Sequence, residues 1–173
     1  MSAADNADAS STDVERASDV NPGWIVVLNG PPRSGKSSIV DVIQETFDGP
    51  WLNLGVDVGH HDAYAKPLHV LPDAARRLSG LPALLVGVRC PLHVIMQRRN
   101  TGQPGREGRY RTSGTGGEIP EPVRRWQREV HQPGIYDLEI DTSAVSPEIA
   151  AAMVRERLDG PAPTALRVLA ERR

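Results

Sequence analysis

The sequence has one cysteine and no long apolar run, and each shortage excludes a class of protein. Cys90 has no second cysteine with which to form an internal disulfide or a cysteine-based zinc site. No stretch approaches the roughly 20 apolar residues that a membrane-spanning helix needs. The first 20 residues lack the cationic start and apolar run of a signal peptide. We therefore expect a cytoplasmic protein without a membrane function.

The chain also lacks an excess of positive charge. Its formal net charge is -2 and its estimated pI is about 6.2, so it has no overall basic field with which to collect nucleic-acid phosphates. The 20 basic residues comprise 18 Arg and 2 Lys. These numbers argue against a nucleic-acid partner, although an RNA-binding module that uses an Arg-rich stretch is the rival from that class.

The length and composition favour one domain. A chain of 173 residues with 39% hydrophobic residues can form one α/β domain with a real core. Residues 1–22 are rich in Ala, Ser and Asp without periodicity, which predicts a disordered N-terminal tail. The domain is predicted to span residues 23–160, and residues 161–173 are interpreted as a C-terminal tail or a short packed segment.

A strand, a loop and a helix follow one another at the start of this domain. Trp24–Leu28 is a continuous apolar, β-branched run, which is typical of a strand buried on both faces of a parallel sheet. From Ser37, apolar residues such as Ile39 and Ile43 recur at helical spacing, and Gly49–Pro50 ends the pattern.

The loop between them fits the pattern G-x-x-x-x-G-K-[ST]. Its two glycines let backbone N–H groups point at phosphate oxygens. Lys36 would bridge the β- and γ-phosphates, and the Ser37 hydroxyl would ligate Mg²⁺ beside the positive end of the helix dipole. The pattern predicts ATP and Mg²⁺ as cofactors; the alternative is a turn that matches by chance. The predicted binding residues are Gly30, Pro31, Pro32, Arg33, Ser34, Gly35, Lys36, Ser37 and Ser38.

Further strands and helices alternate along the rest of the chain. The additional predicted strands are Trp51–Val56, Leu81–Val88 and Ile135–Ile140. The additional predicted helices are Pro67–Leu78 with an interruption at Pro72, Cys90–Arg99, Glu121–Val130 and one that begins at Ser146.

Asp57 stands at the predicted carboxyl end of the second strand, where ligands bind in open α/β sheets. It could act as a base toward a substrate hydroxyl, hold Mg²⁺, or cap a turn. Asp62 is a weaker candidate for the metal. His60 and His61 lack the usual spacing of metal ligands, so an exposed turn is the favoured interpretation.

Residues 101–120 contain six glycines and several arginines, which predicts a mobile loop or lid. Arg99, Arg106, Arg109 and Arg111 flank or occupy it. A closing loop would bring guanidinium groups onto a transferring phosphoryl group. The alternative is a solvated surface loop.

These motifs together resemble chloramphenicol phosphotransferase and its relatives. The resemblance extends from Trp24 to about Arg157. It rests on Leu28-Asn-Gly30 with Ser34-Gly-Lys-Ser-Ser38, and on Leu54-Gly-Val-Asp57, Val86-Gly-Val-Arg-Cys90 and Tyr136-Asp-Leu-Glu-Ile-Asp-Thr142. It implies the three-layer α/β/α fold of P-loop NTPases, with a mainly parallel sheet.

The resemblance also implies roles for individual residues. Asp57 would be the catalytic base, Lys36 would contact phosphate, and the lid arginines would be Arg99 with Arg106 or Arg109. His131 occupies the position of a family histidine that follows the lid helix. Thr142 and Ser143 would lie near the adenine.

The interval between Gly-Val-Asp and Gly-Val-Arg-Cys is much shorter here than in the family. The residues around Asp57 match either the Gly-Val-Asp strand or a later acidic strand, as though the two had been spliced. Loss of a central strand exposes apolar edges, so we expect a sheet reduced to four strands or a product that folds poorly.

The sequence thus predicts transfer of the γ-phosphate of ATP to a hydroxyl of a small molecule, such as an antibiotic of the chloramphenicol type. Two rivals stay open: a nucleoside or metabolite kinase on the same scaffold, and a nucleotide-binding protein that has lost catalysis. The sequence gives no oligomeric state.

Overall fold

A computed structural model describes residues 23–54, 67–102, 108 and 110–172 of the chain. The strands are β1 (Ile25–Asn29), β2 (Ala83–Arg89) and β3 (Leu138–Asp141). The helices are α1 (Lys36–Thr46), α2 (Pro67–Leu78), α3 (Leu92–Asn100), α4 (Glu121–Glu129), α5 (Pro147–Leu158) and α6 (Ala165–Glu171). The predicted N-terminal tail, residues 1–22, lies outside the described residues.

The three strands form a parallel sheet in the order β1-β2-β3. Strand β2 is central, and every residue from Ala83 to Val88 is buried, as the continuous apolar run predicts for a strand covered on both faces. The predicted start at Leu81 is two residues early, because Leu81 is half exposed and precedes the first strand pair, Ile25 with Ala83.

Helices cover both faces of the sheet. On one face, α1 and α5 pack over Leu84, Val86 and Val88. On the other face, α2 and α6 pack over Ala83 and Leu85. The alternation of side chains along β2 therefore supplies both cores, and the predicted α/β/α layering is confirmed.

The described part of the predicted strand Trp51–Val56, residues 51–54, does not join the sheet. Residues 51–54 form no strand, and the Leu52 and Leu54 side chains are 82% and 84% exposed. Trp51 instead folds back onto the end of α1, where its ring meets the Phe47 ring edge-on at 5.5 Å and its carbonyl accepts from Gln44 at 2.9 Å. The described part of the chain thus holds three strands rather than four, and in it no strand pairs with the outer edge of β1.

Several smaller expectations can also be compared with the structure. Helix α2 runs through Pro72 without interruption. Ser146 caps α5, since its hydroxyl accepts from the N–H of Ile149 at 3.4 Å and Pro147 opens the helix, as predicted. Cys90 is a free, buried thiol in a small cluster with α3 and α4.

The C-terminal residues, for which the sequence allowed a tail or a packed segment, include helix α6. Leu166 and Leu169 of this helix are 3% exposed and pack against α2 and β2. The side chain of Asp137, just before β3, accepts from the N–H groups of Thr164 and Ala165 at 2.7 and 3.0 Å, so the start of α6 is tied to the sheet. No helix in the described ranges has the length and apolar character to cross a bilayer.

Candidate phosphate-binding site

The loop predicted to bind phosphate lies between β1 and α1, at the carboxyl end of the sheet. Gly30 passes directly against β2: a Cβ at this position would lie 2.4 Å from the Val88 carbonyl oxygen and 2.9 Å from Ser34 Oγ. Gly35 has φ 98°, in the left-handed region that side chains disfavour. Both fixed glycines of the pattern are thus required by the backbone, one by space and one by conformation.

Lys36 closes the loop from its helical end. Its Nζ donates to the carbonyl oxygens of Gly30 and Pro31 at 2.8 and 2.9 Å. Burial lowers the pKa of this amine from 10.5 to about 8, because desolvation disfavours the cation. The amine is still protonated at neutral pH and lies where the loop begins.

The first turn of α1 offers positive potential without an internal counterion. Gly35 precedes the helix and has no side chain with which to cap it, and residues 36–39 include no acidic residue. Ser37 and Ser38 are exposed in this turn. An anion at this end would meet N–H groups and the helix dipole, and the Ser37 hydroxyl is accessible to a Mg²⁺ ion bound with it.

Thr142, predicted to lie near the adenine, contacts the loop itself. Its Oγ1 donates to the Ser34 carbonyl oxygen at 2.6 Å, and its side chain would lie 3.3 Å from a Cβ on Gly35. Ser143 donates from its N–H and its hydroxyl to Asp141 Oδ1 at 2.8 and 2.6 Å. Hydrogen bonds from the Ser143 hydroxyl and then from its N–H hold the pKa of Asp141 below its usual value.

Arg98, the neighbour of the predicted lid residue Arg99, reaches the phosphate loop. Arg98 donates to the Arg33 carbonyl oxygen at 3.3 Å and to the Thr142 carbonyl oxygen at 2.7 Å. Arg99 is only 4% exposed; its guanidinium donates to the Arg111 carbonyl oxygen at 3.3 Å and lies 5.5 Å from the centre of the Tyr110 ring. Arg99 therefore contacts the middle of the predicted lid, at Tyr110 and Arg111.

A second polar cluster lies at the end of β1. Asn29 Nδ2 donates to the Val130 carbonyl oxygen at 2.8 Å and to the Tyr136 hydroxyl at 2.7 Å, and that hydroxyl lies 2.8 Å from His131 Nδ1. Because Tyr136 already accepts from Asn29, its own hydrogen satisfies the cluster best when donated to Nδ1. This places the histidine proton on Nε2, an atom that is buried and has no hydrogen-bond partner within the described structure.

His131 is held neutral at physiological pH. Burial is the main cause that lowers its pKa from 6.5 to about 4, and the positive charges of Arg89 and Lys36 also lower it while Glu139 opposes them.

Three predicted catalytic residues lie outside the described residues: Asp57, Arg106 and Arg109. The same holds for His60, His61 and Asp62. In the part of the chain that is described, no group of three or more His, Cys, Asp or Glu side chains is arranged to hold a metal ion.

Sequence reasoning missed the contacts that surround the loop. Arg98 and Arg99 are adjacent at the end of α3, and only the packing of that helix decides which one faces Thr142. Asn29 precedes the first glycine of the loop, a position that could have identified it. Tyr136 carried no signal beyond its place in a family motif.

A family model described as chloramphenicol phosphotransferase-like protein matches residues 23–68 and 60–159. The chain belongs to this family. The two matched segments overlap at residues 60–68, within the interval that the sequence predicts to be shortened. A search of curated proteins found no match. Membership indicates a kinase-like phosphotransferase ancestry and, in general terms, the use of a nucleotide.

Proposed function

We propose that this protein transfers the γ-phosphate of MgATP to a hydroxyl group of a small molecule. The observation that carries the proposal is the loop from Gly30 to Ser37. Gly30 has no room for a side chain, Gly35 adopts a left-handed backbone, and the half-buried Lys36 lies across the first carbonyls of the loop. Membership of a phosphotransferase family supports the same chemistry.

Lys36 and Ser37 have different proposed roles in the loop. Lys36 would leave the carbonyl oxygens of Gly30 and Pro31 and bridge the β- and γ-phosphates, where a compact cation neutralises the transferring group. Ser37, exposed at the first turn of α1, would ligate Mg²⁺. When bound, the metal would neutralise charge on the phosphate oxygens.

The acceptor hydroxyl needs a base, and we assign this role to Asp57 on the strength of the family motif. An aspartate there would accept the hydroxyl proton during in-line transfer. Arg106 and Arg109 are proposed to stabilise charge on the transferring group, as lid arginines do in related chemistry. Ser143 is proposed to lie on the adenine side of the site.

The proposal is tested by transfer from radiolabelled ATP to a panel of acceptors. The panel contains chloramphenicol, other hydroxylated antibiotics, nucleosides and hydroxylated metabolites, and Lys36→Ala serves as the inactive control. Labelled product with one acceptor class and none with the control is the expected result. Binding of MgATP without transfer to any acceptor would identify a nucleotide-binding protein that has lost catalysis.

The role of Asp57 separates into two measurements on one variant. Asp57→Asn should bind MgATP normally and transfer phosphate roughly 10²-fold more slowly, the scale of general base catalysis. A parallel loss of metal-dependent affinity would instead assign Asp57 to Mg²⁺. Asp48→Asn, at an exposed carboxylate after α1, is the matched control and should change neither quantity.

The lid arginines have a similar test. Replacing both Arg106 and Arg109 by glutamine should lower turnover more than ATP affinity, because their charge matters most in the transition state of phosphoryl transfer. The same double change at Arg77 and Arg167, which are exposed on α2 and α6, controls for net charge. If turnover falls equally in both double variants, Arg106 and Arg109 contribute only to the net charge of the surface.

A further inference from the structure

Two carbonyl groups of the phosphate loop are held from outside the loop by distant side chains. Thr142 Oγ1 donates to the Ser34 carbonyl oxygen at 2.6 Å. Arg98 donates to the Arg33 carbonyl oxygen at 3.3 Å. Thr142 follows β3 and Arg98 lies in the last turn of α3, so the two side chains reach the loop from different parts of the fold.

The direction of these hydrogen bonds is fixed. Arg98 also donates to Thr142 Oγ1 at 3.1 Å, and guanidinium groups only donate. The threonine oxygen is therefore an acceptor toward Arg98, and its single hydrogen is available for the 2.6 Å contact with the Ser34 carbonyl rather than for the longer 3.3 Å contact with the Arg89 carbonyl. The result is a relay from Arg98 through Thr142 to Ser34.

This relay sets the orientation of a peptide group. In a trans peptide the C=O and the following N–H point in opposite directions. Holding the Ser34 carbonyl toward Thr142 turns the N–H of Gly35 away from Thr142. The threonine side chain also packs against Gly35, at 3.3 to 3.4 Å from the position of a Cβ, so this side of Gly35 is occupied and we infer that its N–H serves a ligand on the opposite side.

The phosphate loop also contacts α3, the helix that carries Arg98, through the side chain of Arg33. The Arg33 guanidinium donates to the carbonyl oxygens of Arg98 and Gly102, the latter at 3.2 Å, and lies 5.5 Å from the centre of the Tyr110 ring. Arg33 has φ 72°, in the left-handed region that a residue with a side chain disfavours. The mutual contacts of Arg33 and Arg98 hold the loop in this disfavoured conformation.

We propose that Thr142 and Arg98 are positioning residues of the phosphate loop, which aim its N–H groups at the nucleotide phosphates and make no contact with the base. The inference rests on the proposed nucleotide-binding function and assigns Thr142 a different role from the adenine contact expected from the sequence. It predicts that both residues affect the binding of any polyphosphate, with or without a base.

The test compares Thr142→Val, which keeps the shape and removes the hydroxyl, with Thr142→Ser, which keeps the hydroxyl. Dissociation constants are measured by calorimetry for MgATP, MgGTP and magnesium tripolyphosphate. The valine variant should raise all three by the same factor, about tenfold for the loss of one well-placed hydrogen bond. The serine variant should stay within about twofold of the wild type.

A double-mutant cycle tests whether Arg98 acts through Thr142. Arg98→Lys can no longer supply the paired donors, and it should weaken the three ligands by a factor similar to that of Thr142→Val. The double variant should be weakened by less than the product of the two factors, because both changes break one relay. Arg125→Lys, at an exposed ion pair with Glu129 on α4, is the matched control and should bind like the wild type.

Three results would overturn the inference. They are a valine variant that binds all three ligands normally, one that loses MgATP affinity but keeps tripolyphosphate affinity, and factors for Thr142 and Arg98 that simply multiply. The second of these would place Thr142 at the base.

A ligand-free readout keeps this proposal separate from the proposed function. The Ser34 N–H donates to the Pro31 carbonyl oxygen at 3.1 Å, and hydrogen exchange at this amide should be faster in Thr142→Val than in Thr142→Ser or the wild type. A wild type that binds no polyphosphate refutes the proposed function; equal Ser34 exchange in all three proteins refutes the positioning of the loop.

Discussion

The charge of Lys36 should make nucleotide affinity depend on pH in a range where few other groups titrate. Nζ is held by two carbonyl oxygens at 2.8 and 2.9 Å, and burial brings its pKa to about 8. Below that pH the amine carries the charge that attracts a polyphosphate, and above it the free protein loses this charge. Affinity for MgATP should thus be constant near pH 7 and fall as the pH rises through 8.

The size of the effect follows from the fraction of charged amine. With a pKa of about 8, roughly 90% of the amine is protonated at pH 7 and roughly 3% at pH 9.5, by simple titration. The dissociation constant for MgATP should therefore rise by up to about 30-fold over this range. The full rise requires the bound phosphates to lift the pKa of the amine above about 9.5, and the rise levels off at the pH at which the bound amine loses its proton.

Calorimetry at pH 7.0, 8.0, 8.75 and 9.5 measures this curve. Lys36→Met keeps an apolar stem of similar length without the charge, so it should bind weakly at pH 7 and show no further loss up to pH 9.5. If the methionine variant follows the same pH curve as the wild type, another group is responsible. If it binds as tightly as the wild type at pH 7, Lys36 does not contact the phosphates.

Two further predictions concern the polar cluster beside the loop. Gly87→Ala should lower the free energy of unfolding by roughly 2–4 kcal/mol, since the new methyl would lie 2.6 Å from the Tyr136 ring and push its hydroxyl out of two hydrogen bonds. Gly80→Ala is the control, because no atom lies within 4 Å of the added methyl. Equal chemical denaturation midpoints for the two variants would contradict the close packing of Gly87 against Tyr136. His131 binds its proton near pH 6.5 when unfolded and only near 4 when folded, so the free energy of unfolding should fall as the pH drops from 6.5 to 4, by up to roughly 3 kcal/mol. His131→Gln should make this decrease at acid pH smaller, while His93→Gln, at an exposed site on α3, should leave it unchanged. An equal decrease in both variants would show that folding does not lower the pKa of His131.

The parts of the fold that local patterns encode were predictable from the sequence. The strand, loop and helix from Ile25 to Thr46 are contiguous, and each is favoured by its own residues: apolar β-branched side chains, two glycines and helical spacing. The cap at Ser146 is local in the same sense, since its hydroxyl serves an N–H three residues away.

The predicted strand at Trp51–Val56 shows where local patterns are insufficient. An apolar run is compatible with a buried strand, but Trp51 gains its packing from Phe47 on the preceding helix, and Leu52 and Leu54 are left exposed. Strand pairing requires a neighbour at the right place in the sheet, and that neighbour is not encoded in the run itself.

The sequence by itself determined the phosphate loop, because its shape depends on the backbone freedom of two glycines within eight residues. The tertiary structure decided what surrounds that loop. The contacts from Arg98 to Arg33, from Asn29 to Tyr136 and from Thr142 to Ser34 join residues 65, 107 and 108 positions apart. Such pairs meet only after parallel strands β1, β2 and β3 bring their carboxyl ends to one edge of the sheet, where burial then sets the charge of Lys36 and His131.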